Sequence, residues 1–281
     1  MGLDEMVVRE INVNSIITES NLPGTDYVIN PYVGCQHACV YCYAEFMKRF
    51  TDHHEEWGDF VDIKINALEV LGNIKKYRNK RISLSSVTDP YHPVEAKYKL
   101  TRRILEALIP AQPRIGILTK GRMVVRDIDL LQQYNHVSVG VSIATLDNEY
   151  SRELEPVAAL PHLRIDVIKK CKEAGLPTYV FLSPIFPYIT EIEKIMELSV
   201  PYVDFFMFEN LNLRPTNLYK IKGFLEKFRP DLIQSYNEIY NSNEQSHQYW
   251  QEVKDKIELL CKGYGKEAKI YFHHGGFKKQ K

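Results

Sequence analysis

The feature that most constrains the fold is a regular alternation of apolar, strand-like runs with helical patterns. Phe60 to Ile65 precedes Leu68 to Tyr77, Ile82 to Val87 precedes Leu100 to Leu108, and Ile115 to Thr119 precedes Val124 to Tyr134. His136 to Ile143 then precedes Pro161 to Ala174, Thr178 to Leu182 precedes Thr190 to Leu198, and Tyr202 to Phe208 closes the series. A stop signal such as Ala174-Gly175 before the next strand supports the alternation. Such an order predicts an α/β chain with a parallel sheet and helices outside it. The count is about six units, fewer than a closed barrel needs. Parallel strands put their following loops at one end, so function should gather at the strand carboxyl ends. Ser85, Ser86, Thr88 and Asp89, then Thr119 and Lys120, Ser142, Ser183 and Pro184, and Glu209 and Asn210 occupy those positions.

With 281 residues the chain is long enough to bury one large core, and a single barrel-type domain is expected. Residues 1–213 are read as that unit. Residues 214–281 are read as a mostly helical extension packed on it, with helices at Leu218 to Phe228 and Tyr249 to Cys261 and a strand at Lys269 to Phe272. Lysine plus arginine equals aspartate plus glutamate at 36 each, so no global positive field recruits nucleic acid or an anionic membrane. Met1 to Arg9 lacks a signal-peptide apolar run, and no stretch reaches membrane-span length, so a cytoplasmic protein without a membrane partner is expected. Five cysteines, three clustered and two isolated, do not form a secreted disulfide framework.

The cluster is Gly34 to Tyr43, G-C-Q-H-A-C-V-Y-C-Y, which spaces Cys35, Cys39 and Cys42 as C-x3-C-x2-C in a loop after the β-like run Asp26 to Tyr32. A helix is expected to begin in Ala44 to Phe50. Three thiolates so close can hold three irons of a [4Fe-4S] cluster, and the missing fourth cysteine leaves one iron open to a ligand. The competing reading is zinc on the same cysteines plus His37 or a distant histidine. It is disfavoured because structural zinc usually draws on paired knuckles and no second pair exists. Cys171 and Cys261 lie in helical runs and read as small buried hydrophobes.

This motif, with Tyr41 before the last cysteine, resembles that of the radical S-adenosylmethionine enzymes. Asn30 to Cys35, Tyr41 to Ala44, Thr88 to Tyr91, Leu118 to Lys120 and Glu155-Pro156 resemble the subgroup around spore photoproduct lyase and its DNA repair photolyase-like relatives. The resemblance spans roughly residues 10 to 210. It implies a partial (β/α)6 barrel of TIM type and a [4Fe-4S] cluster on Cys35, Cys39 and Cys42. It also implies S-adenosylmethionine on the open iron and a flavodoxin- or ferredoxin-type electron donor. One-electron reduction would release a 5'-deoxyadenosyl radical that abstracts hydrogen from a substrate. By the same resemblance Tyr43, Ser86, Asp89, Lys120 and Ser142 contact S-adenosylmethionine, with Asp89 on its ammonium and Lys120 on its carboxylate, and Tyr41 and Tyr43 are catalytic. Without the resemblance, Lys120 reads as a solvated lysine.

One departure is informative. The lyase has a hydrogen-donating cysteine soon after the second strand, where this chain has Ser85 or Ser86, and a serine O–H bond is too strong for that role. The substrate is therefore open between a nucleic-acid lesion or nucleobase, a peptide, and a small metabolite, with a non-catalytic iron-sulfur or zinc module as the reading from another class. His273-His274 reads as solvent-facing, and His53-His54 carries less weight still in its charged loop. Glu155 and Arg164 are either an ion pair bracing the substrate loop or a surface pair. Tyr236, Tyr240, Tyr249 and Trp250 read as core aromatics rather than base-stacking platforms.

Overall fold

The computed structural model describes residues 6–273. Its strands are β1 (Val7–Ile11), β2 (Ile17–Glu19), β3 (Tyr27–Ile29), β4 (Tyr32–Val33), β5 (Phe60–Lys64), β6 (Arg81–Leu84), β7 (Arg114–Thr119), β8 (Val137–Ser142), β9 (Thr178–Ile185), β10 (Phe205–Asn210) and β11 (Glu267–Ile270). Eight of them form one sheet in the order β11-β10-β9-β8-β7-β6-β3-β2. Every neighbouring pair from β3 to β11 is parallel, and β2 alone runs antiparallel, against β3. The partial-barrel class follows: helices cross between consecutive parallel strands, and the carboxyl ends of β3, β6, β7, β8, β9 and β10 all open on one side.

The core lies between sheet and helices. Ile29, Leu84, Ile117, Val139, Val141, Val180, Leu182, Phe206 and Phe208 from the strands meet Ile104, Leu105, Val167, Ile168, Ile195 and Met196 from the helices. Each such side chain contributes about 1.5–3 kcal/mol by leaving water, so this layer holds the strand ends in register. The stop expected at Ala174-Gly175 is present. The helix Pro161–Glu173 ends there, with Gly175 at φ +80° donating its amide to Lys172 O, the left-handed turn that glycine adopts without strain.

Three expectations change, the first being Leu68 to Tyr77, which forms two 3-10 turns, Glu69–Leu71 and Ile74–Tyr77, and no α-helix. Phe60 to Ile65 does not belong to the repeating series: β5 lies in a separate three-stranded sheet, β1-β5-β4, parallel to β1 and antiparallel to β4. The place beside β6 is taken by β3, a strand of three residues. An apolar run shows that a strand is buried but not which sheet buries it, and β3 is too short to carry a period. The segment from Val124 to Tyr134 is a 3-10 turn, Met123–Asp127, followed by a short helix, Ile128–Leu131.

After residue 213 come helices Pro215–Phe228, Ile233–Asn241 and Asn243–Tyr264, the second of them not expected. The last begins at Ser242, whose hydroxyl accepts from the Gln245 amide, and ends at Gly265, φ +64°. The chain then returns to the sheet as β11, parallel to β10. Trp250 and Tyr236 are buried at 1% and 4% exposure, as core aromatics rather than base platforms. No described helix is long and apolar enough to cross a membrane.

Candidate metal and cofactor centre

The cysteine loop is shaped by local chemistry. Gly34 sits at φ +85°, and a Cβ there would lie 2.3 Å from Phe60 O, so only glycine lets the loop descend onto β5. Its carbonyl accepts from Thr88 Oγ1 at 2.5 Å, which joins the loop to the segment after β6. Ala38 N donates to Cys35 O and Cys42 N to Cys39 O, turning the chain twice within eight residues, while Val40 N reaches Leu154 O. The expected helix after the loop is a 3-10 segment, Tyr43–Phe50.

All three thiols are free, with Cys35 buried and Cys39 and Cys42 half-buried. Burial pushes the Cys39 thiol up to about 12 against the pull of Lys120, and pushes Cys35 and Cys42 up as well. Cys171 and Cys261 are buried in the helices Pro161–Glu173 and Asn243–Tyr264 and belong to the main core. The loop therefore offers a trio without a fourth cysteine. Among the described residues no three His, Cys, Asp or Glu side chains converge on a point that one metal ion could fill. His37, the proposed fourth zinc ligand, is buried at 2% with Nε2 3.2 Å from Asp89 Oδ2.

Asp89 differs from the expectation. Its Oδ1 accepts from Tyr91 N at 2.8 Å and Thr119 Oγ1 at 2.6 Å, and its Oδ2 accepts from Lys120 N at 2.7 Å and faces His37. Burial opposes its ionisation, but His37, Thr119 and the Lys120 amide outweigh burial and hold the carboxyl well below the usual range. Three hydrogen-bond donors and the nearby His37 thus surround Asp89. It ties the ends of β6 and β7 to the underside of the cysteine loop.

Tyr41 turns inward. Its hydroxyl donates to Glu155, which also accepts from Arg164 in an ion pair with both side chains at 2% exposure or less. Arg164 Nη1 donates to Ser142 O at 2.7 Å and Nε to Ala159 O at 2.6 Å, so the pair is a buried brace and not a surface contact. Lys120 is half-buried, with Nζ 5.6 Å from the Tyr41 ring centroid. Burial lowers the Lys120 pKa, but Cys39 and Glu155 more than compensate and raise it overall, so the ammonium stays charged.

Tyr43 turns outward at 45% exposure and donates to Ser86 O. Ser86 N and Val87 N donate to Asn30 Oδ1, which pins the turn after β6 to the end of β3. Ser85 takes φ +67°, and its buried hydroxyl has no hydrogen-bond partner. Ser142 is 2% exposed and donates to Ser183 O at 2.8 Å, so its hydroxyl proton is already used.

Three groups take places that spacing did not suggest. Asn217 Nδ2 donates to Tyr41 O at 3.3 Å and to Asn212 O at 3.2 Å, while its Oδ1 accepts from Arg214 N. His273 is not solvent-facing: its Nε2 lies 2.7 Å from Glu209 Oε1, and Ser183 Oγ donates to Glu209 Oε2 at 2.6 Å. His274 lies outside the described residues. His53, expected in a charged loop, is buried at 5%, stacked on Phe60 at 3.9 Å and held between Glu55 and Asp62.

The parallel sheet brings a three-cysteine loop, an anchored Tyr41 and a charged Lys120 to its carboxyl end. The family model described as the Radical SAM superfamily matches residues 29–199. The chain belongs to the Radical SAM superfamily. An uncharacterized protein of Methanocaldococcus jannaschii is 36% identical over 234 residues, which cover 83% of this chain and 87% of that protein. Among solved structures, a spore photoproduct lyase variant with bound AdoMet and dinucleoside spore photoproduct shares the fold at a TM-score of 0.71 and 15% identity, covering 95% of this chain and 82% of that one. Streptococcus suis SuiB bound to the precursor peptide SuiA is similar at a TM-score of 0.54 and 16% identity, covering 88% of this chain and 48% of that one.

Proposed function

We propose that the chain holds one [4Fe-4S] cluster on Cys35, Cys39 and Cys42, binds S-adenosylmethionine at its open iron, and abstracts a hydrogen atom from a nucleobase or nucleic-acid lesion. The observation that carries this reading is the thiol trio at the sheet mouth, with both remaining cysteines buried in the helical core. When bound, the cluster supplies the electron that cleaves the sulfonium to methionine and a 5'-deoxyadenosyl radical.

The protein's part is orientation and exclusion of water. Lys120, charged beside Cys39, would meet the cofactor carboxylate, a reading its retained charge supports. The unpartnered Ser85 hydroxyl and the Ser86 loop would meet its polar groups, and Ser142, as acceptor only, would meet its sugar hydroxyls. Tyr43 is 45% exposed, and an exposed tyrosine ring is a surface on which a planar base would stack. Tyr41, bound to Glu155, holds the loop in place. A flavodoxin- or ferredoxin-type protein would supply the electron. The equal count of cationic and anionic residues favours a second reading, in which the substrate is a peptide or small metabolite.

Anaerobic reconstitution tests the class: the full chain should take up about four irons and, once reduced, form 5'-deoxyadenosine. Replacing Cys35, Cys39 or Cys42 by alanine should abolish that product, and retained turnover in all three variants, or zinc uptake without cofactor cleavage, contradicts the reading. Salt-sensitive binding to DNA supports the first substrate. Binding of one peptide or metabolite with no DNA affinity supports the second.

A further inference from the structure

One aromatic side chain beside the thiols has chemistry that no other group uses. Trp57 is 5% exposed, and its indole Nε1 is buried without a hydrogen-bond partner. An unmet buried donor is unfavourable, so its position is informative. The ring packs with Cys35, Ala44 and Phe60 in one apolar group against which Cys42 also lies.

Its placement is tightly determined. Next to it, Gly58 takes φ +114°, and a Cβ there would lie 2.5 Å from the Cβ of Ala38, between the first two cysteines. On the other side Trp57 meets the Phe60 ring edge-on at 5.7 Å, and Phe60 is stacked on His53, itself held by Glu55 and Asp62. The indole is thus wedged against the cysteine loop by two backbone and ring contacts.

We propose that Trp57 is a positioning residue for the metal centre: its indole N–H donates to a ligating sulfur of the cysteine loop it packs against in the loaded protein and sets how readily the cluster accepts an electron. The proposal rests on the cluster assignment made above. A hydrogen bond to a ligating sulfur draws off negative charge and favours the reduced state, which carries one more electron. The buried indole N–H is then a prepared contact.

The test uses the full chain, reconstituted without oxygen, and compares it with the Trp57→Phe variant. Potentiometric titration followed by electron paramagnetic resonance should show the cluster of the variant reduced only at a lower potential. Independently, the unmutated chain labelled with 15N in its indoles should show a nitrogen coupling to the reduced cluster in double-resonance spectra. That coupling should vanish in Trp57→Phe. An unchanged midpoint overturns the proposal, and so does the absence of a 15N coupling in the unmutated chain, which decides the matter even where the variant fails to fold. Failure of the unmutated chain to assemble any cluster instead removes the cluster assignment itself.

Discussion

Arg164 shows how much one residue can carry at this site. Its guanidinium is fully buried and spends its donors on Glu155, Ser142 O and Ala159 O, and Glu155 in turn receives the Tyr41 hydroxyl. Removing one member of a buried pair leaves the other charge uncompensated, at a cost of about 3–5 kcal/mol. Arg164→Met should therefore lower the unfolding free energy of the metal-free chain by about 3 kcal/mol or more, measured by urea titration. A loss below about 1 kcal/mol, the value of an exposed pair, would contradict the brace. Replacing both partners with apolar residues should recover part of the loss. At this scale the three cysteines are legible as one group because spacing alone puts Cys35, Cys39 and Cys42 in a single loop. Asp89 was legible only as a residue of the site: which donors surround it depends on His37, Thr119 and Lys120 folding around it.

The elements that shape the site meet where helix Pro215–Phe228 reaches the cysteine loop. Asn217 is fully buried, and its amide holds Tyr41 O while its carbonyl oxygen accepts from Arg214 N, so the first turn of that helix clips the loop from outside. Lys220 and Glu45, 3.3 Å apart, add a second tie between the same elements. Asn217→Ala should leave the chain folded but loosen the loop. Iron should then be lost to a chelator severalfold faster than from the unmutated protein, and an unchanged rate would show that the clip is dispensable. No spacing rule reveals a contact between residues 176 positions apart in sequence. The alternation of strands and helices, by contrast, is written locally, and it placed β6 through β10 correctly. It misplaced β5 because sheet membership is decided by partners, here β1 and β4. His53 was missed for the same reason: its burial comes from Phe60 and Asp62, not from its polar neighbours in sequence.

Across the whole molecule, the sheet is completed by both ends of the described chain. β2 covers β3 on one edge and β11 covers β10 on the other, with Trp250 sealing the core near the second edge. Truncation after Leu213 would expose the β10 edge and the apolar faces under helix Asn243–Tyr264, so the shortened chain should aggregate, with light scattering and loss of the cooperative thermal transition as the readout. A soluble, cooperatively folding product would show the remainder to be an independent appendage. The sheet thus supplies the mouth, and the loop after β3 supplies the donors.

The central claim is that three thiols leave one iron free for the amino and carboxylate groups of S-adenosylmethionine. Double-resonance spectroscopy of the reduced, reconstituted protein tests this with cofactor labelled by 15N at the methionine amino group and by 17O at the carboxylate. Both labels should couple directly to the cluster. A spectrum that S-adenosylmethionine leaves unchanged, with a fourth protein side chain coupled at that iron, would contradict the account.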